Sequence, residues 1–436
     1  MFSAMAVLLA TFIFIACSPL APVTPSPTKG VPVTPFPPAS TKGSASPSSL
    51  AGNISGEDAY RLVQALAVKV GSRPAGSEAV KEASIYIAQQ FQDGGYQVQK
   101  QGFSFRQYLD EGAEATVLSS PPKELHPNTL FYSLGGEGEG EVVAAGIGED
   151  KDTQGVKGKI ALVERGVLRF SEKVENAARA GAVAVIVYNN QAGNFRGSLG
   201  SLSRIPAVAL SQEEGEALLS ALGQSPVRVR LVVKGHIQEG EGLNVIAKKD
   251  VTKPCRWLLG AHYDSVAAGP GANDNASGVA VVLEVARRAA FAPWASGLCF
   301  VAFDVEELGL FGSRHYVDSL SPRERQAMEV MVNLDMVGVG DSWGLAGTSE
   351  MVALGQAVAE EWRVAAQEFR LAPELSSDHA SFQAASIPVL FIHLREDPRY
   401  HTAEDKAEYV RPEHLQTAGR IALGVVERLA QGGSRQ

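Results

Sequence analysis

The 436-residue chain contains few cysteines and no long run of basic residues. Its 39 Lys and Arg are outnumbered by 48 Asp and Glu, which gives a formal net charge of -9. A chain with this charge balance and no basic segment is not expected to bind nucleic acid. Only three cysteines occur, Cys17, Cys255 and Cys299.

The N-terminal segment MFSAMAVLLATFIFIACSP lacks Lys and Arg and has an apolar stretch of signal-peptide length that ends before Cys17. It is too short for a membrane-spanning helix, so residues 1–17 are predicted to be a lipoprotein-type signal with Cys17 lipidated. Because no basic residue precedes the apolar run and Phe14 stands where Leu is usual, a start farther upstream or an uncleaved anchor is the alternative.

Residues 18–50 lack large apolar side chains almost entirely and are rich in Pro, Ser and Thr. Such a segment cannot bury a core and is predicted to form an extended tether. The rest of the chain is therefore expected to be exported and attached to a membrane, at the cell surface or in the periplasm.

Four apolar runs in the second half of the chain lead to acidic or histidine side chains. WLLGAHYDS, LCFVAFDVEELGLFGS, MVNLDMVG and IPVLFIHL are separated by helical stretches, which predicts an α/β fold with a parallel or mixed sheet covered on both faces. Ligands of such sheets bind beyond the carboxyl ends of the strands. Six residues suited to metal binding or proton transfer fall there: His262, Asp274, Glu306, Glu307, Asp335 and His401.

Taken singly, each of these residues is more often structural, but their ordered set indicates a site for two divalent metal ions. Two ions about 3.5–4 Å apart can hold a hydroxide and polarise a carbonyl, and they need a carboxylate that bridges them. Asp274, in the loop GPGANDNASG, is the candidate bridge. Imidazole and carboxylate together favour zinc over magnesium. Successive residues point in different directions, so one of Glu306 and Glu307 can bind metal while the other acts as general base.

Six sequence blocks in this region resemble a known family. AHYDS, GANDNASG, FDVEELGLFGS, NLDMVG, SSDHASF and YHTAED are similar, in the same order, to the zinc aminopeptidases of the bacterial leucyl aminopeptidase and Streptomyces aminopeptidase type, peptidase family M28. The resemblance implies a mixed, mostly parallel eight-stranded sheet between helices. It also implies two zinc ions, one bound by His262 and Asp335 and the other by Glu307 and His401, with Asp274 bridging.

The same resemblance suggests roles for the residues around the ligands. It implies that Glu306 is the general base and then the general acid, and that Asp264 is the carboxylate that orients a ligand imidazole. His379 could bind substrate or merely pack, and Asp378 beside it is expected to order the loop. Tyr400, next to His401, is a wall of the site or a catalytic helper.

The resemblance also divides the chain into domains. Residues 51–110, with the entry segment SRPAGSEA, and residues 236–433 are predicted to form the peptidase domain. Between them, residues 111–235 contain VKGKIALVERG, KVENAARAGA, AVIVYNN and IPAVALS, which resemble the protease-associated (PA) domain, a β-rich α/β insertion. No metal cluster, nucleophile or glycine fingerprint stands out in it. We expect it to form a lid or substrate-access wall, or only to enlarge the fold.

In the resembling fold, the strands before His262 and Glu306 are neighbours. Cys255 and Cys299 each lie seven residues before one of these site residues, so equal depth on adjacent strands would bring their sulfurs within bonding range. An exported chain also meets oxidising conditions. A disulfide is therefore one interpretation, and two buried free thiols are the other.

The expected function is removal of the N-terminal residue from peptide substrates. Only Arg314 and Arg399 flank the site blocks, so the bidentate clamp by which carboxypeptidases hold a terminal carboxylate is not evident. Within the same fold, the alternatives are a carboxypeptidase and a single-zinc glutaminyl cyclase. From a different class comes a catalytically inactive, receptor-like binding protein. The sequence does not indicate the oligomeric state.

Overall fold

The computed structural model describes residues 49–370 and 376–432. Cys17, the predicted signal and nearly all of the predicted tether lie outside the described residues. The last two tether residues are part of the folded unit, because Ser49 Oγ donates to Glu427 Oε2 at 2.5 Å and the Leu50 N–H donates to Glu427 Oε1 at 2.6 Å. None of the described helices combines the length and apolar character that crossing a membrane requires.

Two helices and one long strand precede the insertion. The first helix begins after Ser55, whose Oγ accepts the Asp58 N–H at 3.1 Å, and the second ends at Gly94 and Gly95. The elements are α1 (Gly56–Val63), which continues as a π-helical segment (Gln64–Val70), α2 (Glu78–Asp93) and β1 (Gln97–Leu109).

The next part of the chain forms a nine-stranded sheet within the described residues, and all its strands fall inside the predicted 111–235 insertion. In space the strands follow the order β3-β2-β10-β5-β6-β7-β9-β4-β8, with β5, β6, β7 and β9 parallel. The elements are β2 (Ala113–Val117), β3 (Lys123–Leu125), β4 (Asn128–Phe131), β5 (Gly136–Ala144), β6 (Ile160–Glu164), α3 (Phe170–Arg179), β7 (Ala184–Tyr188), β8 (Gly197–Ser198), β9 (Ala207–Leu210), α4 (Gln212–Leu222) and β10 (Arg228–Val233).

Successive residues of the insertion's strands pack on opposite faces of its sheet. Leu162 and Ile186 belong to the hydrophobic cluster that includes Leu218 of α4, whereas Val163 belongs to the cluster that includes Val174 of α3. The helices therefore cover both faces of the sheet formed by β6, β7 and β9, in the chain order β6, α3, β7, β9 and α4.

The remaining elements complete the peptidase domain. They are β11 (His236–Lys248), β12 (Trp257–His262), α5 (Gly278–Ala289), β13 (Leu298–Phe303), α6 (Phe311–Ser319), α7 (Pro322–Ala327), β14 (Val330–Leu334), β15 (Ser342–Gly347), α8 (Ser349–Glu361), β16 (Ala366–Glu368), α9 (His379–Ala384), β17 (Val389–Arg395) and α10 (Pro412–Gly432).

In the part of the chain that the structure describes, these strands and β1 form the predicted mixed eight-stranded sheet, in the order β1-β11-β13-β12-β14-β17-β15-β16. The four central strands β13, β12, β14 and β17 are parallel. Every residue of β12, β13 and β14 is buried, as expected for strands covered on both faces. The carboxyl ends of the parallel strands therefore meet at one edge of the sheet.

Cys255 and Cys299 form a disulfide with a Cα–Cα distance of 5.6 Å, which confirms the predicted pairing. The argument of equal depth was wrong, however. The parallel register pairs His262 with Phe303 and Leu258 with Cys299, so Cys255 lies three residues before the partner of Cys299. The bond joins the start of β13 to the segment that leads into β12.

Candidate metal centre and active site

All six residues named from the sequence meet at the carboxyl edge of the peptidase sheet. His262 ends β12, Asp335 follows β14 directly, and His401 lies in the turn after β17. The Glu306–Glu307 pair lies in the loop between β13 and α6. Asp274 lies in the turn before α5, and the peptide bond that follows it is cis.

The carboxylate of Asp274 stands between the two histidines. Its Oδ1 is 3.2 Å from His262 Nε2, and its Oδ2 is 3.2 Å from His401 Nε2. On one side, His262 Nε2 also lies 3.4 Å from Asp335 Oδ1. On the other side, His401 Nε2 lies 2.9 Å from Glu307 Oε2. The five side chains therefore form two groups that share Asp274.

These side chains have the features of a metal site. Within the described residues, His262 Nε2, Glu307 Oε1 and Asp335 Oδ1 are buried and have no hydrogen-bond partner. Buried polar atoms are normally paired, so unpaired ones that face each other indicate a missing ligand. Ligand atoms at ~2.0–2.2 Å from a tetrahedral zinc ion lie roughly 3.3–3.6 Å from each other. Of the four separations, 3.4 Å lies in this range and 3.2, 3.2 and 2.9 Å are shorter, so the set of imidazole and carboxylate donors, more than the distances, is what fits zinc ions.

The general-base candidate, Glu306, lies beside the first group. Its Oε2 is 3.9 Å from His262 Nε2, and His262, Glu306 and Asp335 each place a potential ligand atom within 4.8 Å of the others. Burial raises the pKa of Glu306 well above its usual value and raises the pKa of Glu307 to about 7. These shifts show how strongly the crowded carboxylates favour a compensating positive charge.

The two histidines contact these carboxylates directly. Burial lowers the pKa of His401, but hydrogen bonds to Asp274 and Glu307 outweigh it and raise the pKa to about 10. Burial likewise opposes ionisation of Asp274, but the two histidines hold its pKa below the usual value. The bridging carboxylate is therefore ionised, as a ligand must be.

Asp264 contacts both the imidazole and the catalytic loop. Its carboxylate accepts the N–H groups of Glu306 and Glu307 at 3.1 and 3.2 Å. Its backbone carbonyl lies 3.2 Å from His262 Nδ1, whereas its carboxylate Oδ1 is 3.6 Å from that nitrogen. The expected contact with the imidazole is thus made by the backbone, and the carboxylate positions the two glutamates.

The sequence analysis missed the role of Arg73, which lies in SRPAGSEA. Arg73 is fully buried, and burial lowers its pKa to about 10. Its side chain donates five hydrogen bonds, all to backbone carbonyls, which connect the π-helical segment to the residue after His262 and to the turn before Asp274. The acceptors are those of Leu66, Gly71, Tyr263, Pro270 and Gly271, at 2.7–3.2 Å.

Two further residues hold the ligands in place. Asp405, in the block YHTAED, accepts the N–H groups of Asn273 and Asp274 at 2.7 and 3.0 Å. Ser377, in the block SSDHASF, donates to Asp335 Oδ2 at 2.7 Å. Both blocks were identified from the sequence, but neither residue was assigned a role, because the partners are about 130 and 40 residues away in the chain.

Two cavities meet at the glutamate pair. The smaller, of about 310 Å³, also contains Asp274, Asp335 and the apolar side chains of Met336 and Phe391. The larger, of about 800 Å³, also contains His401 and residues of α6 and α7. No residue of the insertion is among the described residues that line either cavity.

The two candidate substrate-binding residues differ in position. Tyr400 lines both cavities and stacks on His401 with ring centroids 3.7 Å apart. His379 is buried and stacks flat on Phe391, with centroids 4.5 Å apart, and it is not among the residues that line either cavity. Its position supports the packing role. Asp378 is also fully buried.

The chain is similar to known proteins over most of its length. Family models match at residues 244–426 for peptidase family M28 and at residues 138–218 for the PA domain. Aminopeptidase YwaD of Bacillus subtilis is 37% identical over 389 residues, which cover 84% of this chain and 83% of YwaD.

The chain is also similar to solved structures of aminopeptidases. The aminopeptidase from Aneurinibacillus sp. strain AM-1 superposes with a TM-score of 0.73 at 32% identity, covering 87% of this chain and 95% of that one. BSAP, a zinc aminopeptidase from Bacillus subtilis, superposes with a TM-score of 0.65 at 32% identity, covering 86% and 95%. The resemblance read from the sequence blocks is confirmed, and the chain belongs to peptidase family M28, with a PA domain inserted in its peptidase fold.

Proposed function

We propose that this chain is an aminopeptidase that uses two zinc ions to remove the N-terminal residue of peptides. The observation that carries the proposal is the carboxylate of Asp274, with one oxygen 3.2 Å from each of two imidazoles. His262 and Asp335 would hold one ion, and Glu307 and His401 would hold the other, with Asp274 shared. The names of similar proteins, among them a zinc aminopeptidase, support the assignment.

When bound, two zinc ions supply Lewis acidity that activates water and polarises the scissile carbonyl. Glu306 accepts the proton of the attacking water and later donates it to the nitrogen of the departing amine. Asp264 supports this role because its carboxylate fixes the backbone on which Glu306 stands.

The smaller cavity suits the first residue of the substrate. Its carboxylates, including Asp335 and the rim residue Glu396, attract the free amine, while Met336 and Phe391 offer apolar surface to the side chain. The nearby Arg399 is engaged elsewhere: its guanidinium lies 3.3 Å from Asp397 and over the Tyr409 ring. This arrangement favours recognition of the amino end.

A panel of amino-acid p-nitroanilides, free and N-acetylated, tests the proposal. The free substrates should be cleaved, the N-acetylated ones should not, and activity should disappear with a chelator and return with zinc. Metal analysis should give two zinc ions per chain, whereas a glutaminyl cyclase would work with one. Cleavage of N-acetylated peptides from the carboxyl end would make the chain a carboxypeptidase, and metal binding without turnover would make it a binding protein.

We further propose that the chain is exported and attached to a membrane by a lipid on Cys17, with 18–48 as the tether. The motif before Cys17 supports this. In an expressing bacterium, Cys17→Ser should move the enzyme from the membrane fraction to the soluble fraction. An unchanged distribution, with no lipid on Cys17 by mass spectrometry, would contradict it.

A further inference from the structure

The larger cavity joins the catalytic glutamates to a group of charged side chains on two helices. Its lining includes Glu306 and Glu307 together with Arg314 and Asp318 of α6 and Arg325 of α7. Helix α6 begins soon after the glutamate pair in the chain, and the Leu310 N–H donates to the Glu306 carbonyl at 2.9 Å. A substrate held at Glu306 can therefore enter the same cavity that contains the arginines.

Of these arginines, Arg314 is free to bind a ligand. It is exposed, and among the described residues its side chain has no hydrogen bond, ion pair or ring contact. Arg325 is partly engaged, because it donates to the Val317 carbonyl at 3.0 Å. Arg399, the other arginine beside the site blocks, is held by Asp397. The carboxylates of Glu306, Glu307 and Asp318 also line this cavity, so the cationic position it offers is the free guanidinium of Arg314.

The chemistry of the cleaved peptide indicates what Arg314 binds. If the first residue occupies the smaller cavity, the rest of the peptide extends into the larger one and ends in a carboxylate. A guanidinium matches a carboxylate with two parallel hydrogen bonds. Each added residue moves that carboxylate by up to ~3.3–3.6 Å, so only the carboxylate of a short peptide stays inside the cavity.

We propose that Arg314 binds the C-terminal carboxylate of short peptides, so that this aminopeptidase prefers short free-acid peptides to their amides and to longer chains. The inference rests on the proposed aminopeptidase function and adds a specificity-determining residue to it. It assigns a ligand to Arg314, one of the two arginines that flank the site blocks.

A ladder of Leu-Gly peptides with one to six glycines, each as free acid and as C-terminal amide, tests the proposal. The ratio of kcat/KM for the free acid to kcat/KM for the amide should be roughly 10 to 100 for the peptide whose carboxylate reaches Arg314. This ratio should fall towards one for the longest peptides. Arg314→Gln should bring this ratio close to one at every length. Arg323→Gln, which removes an exposed charge on α7 outside the cavity lining, should retain the wild-type ratio.

The wild-type ladder alone can overturn the proposal, whatever the variants do: equal rates for acids and amides at all lengths would exclude a carboxylate contact. If Arg323→Gln lowers the acid-to-amide ratio as much as Arg314→Gln does, the preference for free acids comes from the general positive charge of this surface and not from binding at Arg314. Zinc content and circular dichroism check that both variants are folded. Cleavage of the N-acetylated ladder would instead refute the aminopeptidase function, so the two failures are distinguishable.

Discussion

Both sheets of this chain place polar side chains beyond the carboxyl ends of parallel strands, but those side chains have different partners. In the insertion, the polar groups at the carboxyl ends of β6 and β7 bind each other: Arg165 Nη1 donates to Asn189 Oδ1 at 3.2 Å, and the Tyr188 hydroxyl donates to Glu164 Oε2 at 3.4 Å. Among the described residues of the insertion, the only buried side-chain N or O atom without a partner is Thr129 Oγ1.

The peptidase sheet leaves its groups unpaired at the corresponding edge. His262 Nε2, Glu307 Oε1 and Asp335 Oδ1 are buried without hydrogen-bond partners. An unpaired buried polar atom costs about 1–3 kcal/mol, so a cluster of them is retained where a ligand completes it. The comparison shows that the end of a parallel strand is only a location, and that unpaired atoms distinguish a site from a structural network.

The strongest test removes the shared ligand. Asp274→Ala should lose both zinc ions and nearly all activity, because its two oxygens face both histidines. His401→Ala should weaken the binding of mainly one of the two zinc ions. Glu164→Ala, at the end of β6 in the insertion, is the matched control and should keep both ions. Metal analysis of the purified variants decides, and two tightly held zinc ions in Asp274→Ala would exclude bridging.

The next largest effect is expected at Glu306, the proposed general base. Glu306→Gln keeps the shape but cannot accept a proton, so kcat should fall on the order of 10²–10⁴-fold while both zinc ions remain. Glu307→Gln, the adjacent control, should instead lower the affinity for one ion, because Glu307 lies 2.9 Å from His401. Near wild-type turnover in a metal-replete Glu306→Gln sample would remove Glu306 from this role.

Replacing Arg73 tests how much buried groups with hydrogen-bond partners contribute to the stability of the fold. Arg73→Met should lower the free energy of unfolding by on the order of 3–5 kcal/mol, because backbone carbonyls on three segments lose their donor. Arg204→Met in the insertion removes an exposed ion pair with Glu175 and should cost about 0–1 kcal/mol. Denaturant titrations of both variants measure the difference, and similar costs would contradict the structural role of Arg73.

The smallest of these effects concerns the disulfide of the peptidase domain. Replacing Cys255 and Cys299 together by alanine should lower the free energy of unfolding by about 2–4 kcal/mol, because the bond closes a loop between residues 44 positions apart. Denaturation of wild type under reducing conditions should show a loss of similar size. Free thiols at both positions in the untreated enzyme, found by alkylation and mass spectrometry, would show that the bond does not form.

What the sequence predicted well was local or carried by ordered motifs. The buried runs became β12, β13, β14 and β17, and the six metal-binding and catalytic candidates lie together at their carboxyl ends. Contacts between distant segments were not predictable. Arg73 reaches carbonyls almost 200 residues away, and nothing in SRPAGSEA indicates those acceptors.

The cysteines and arginines show a second limit, which is register. Counting seven residues back from His262 and Glu306 placed Cys255 and Cys299 at one depth, but the strands pair His262 with Phe303. The sequence likewise could not tell Arg314 from Arg399, since both simply flank site blocks. Only the packed structure shows that Arg399 is held by Asp397 and that Arg314 faces the cavity.

The strands that lead into and out of the insertion pair with each other along their whole length. The register of β1 and β11 runs from Gln97 opposite Lys248 to Leu109 opposite His236, in antiparallel direction. The insertion therefore leaves and re-enters the peptidase sheet at adjacent backbone positions, where a hairpin turn would also fit. From the viewpoint of the sheet, the PA domain takes the place of a turn, so the pairing of β1 with β11 sets no limit on its size.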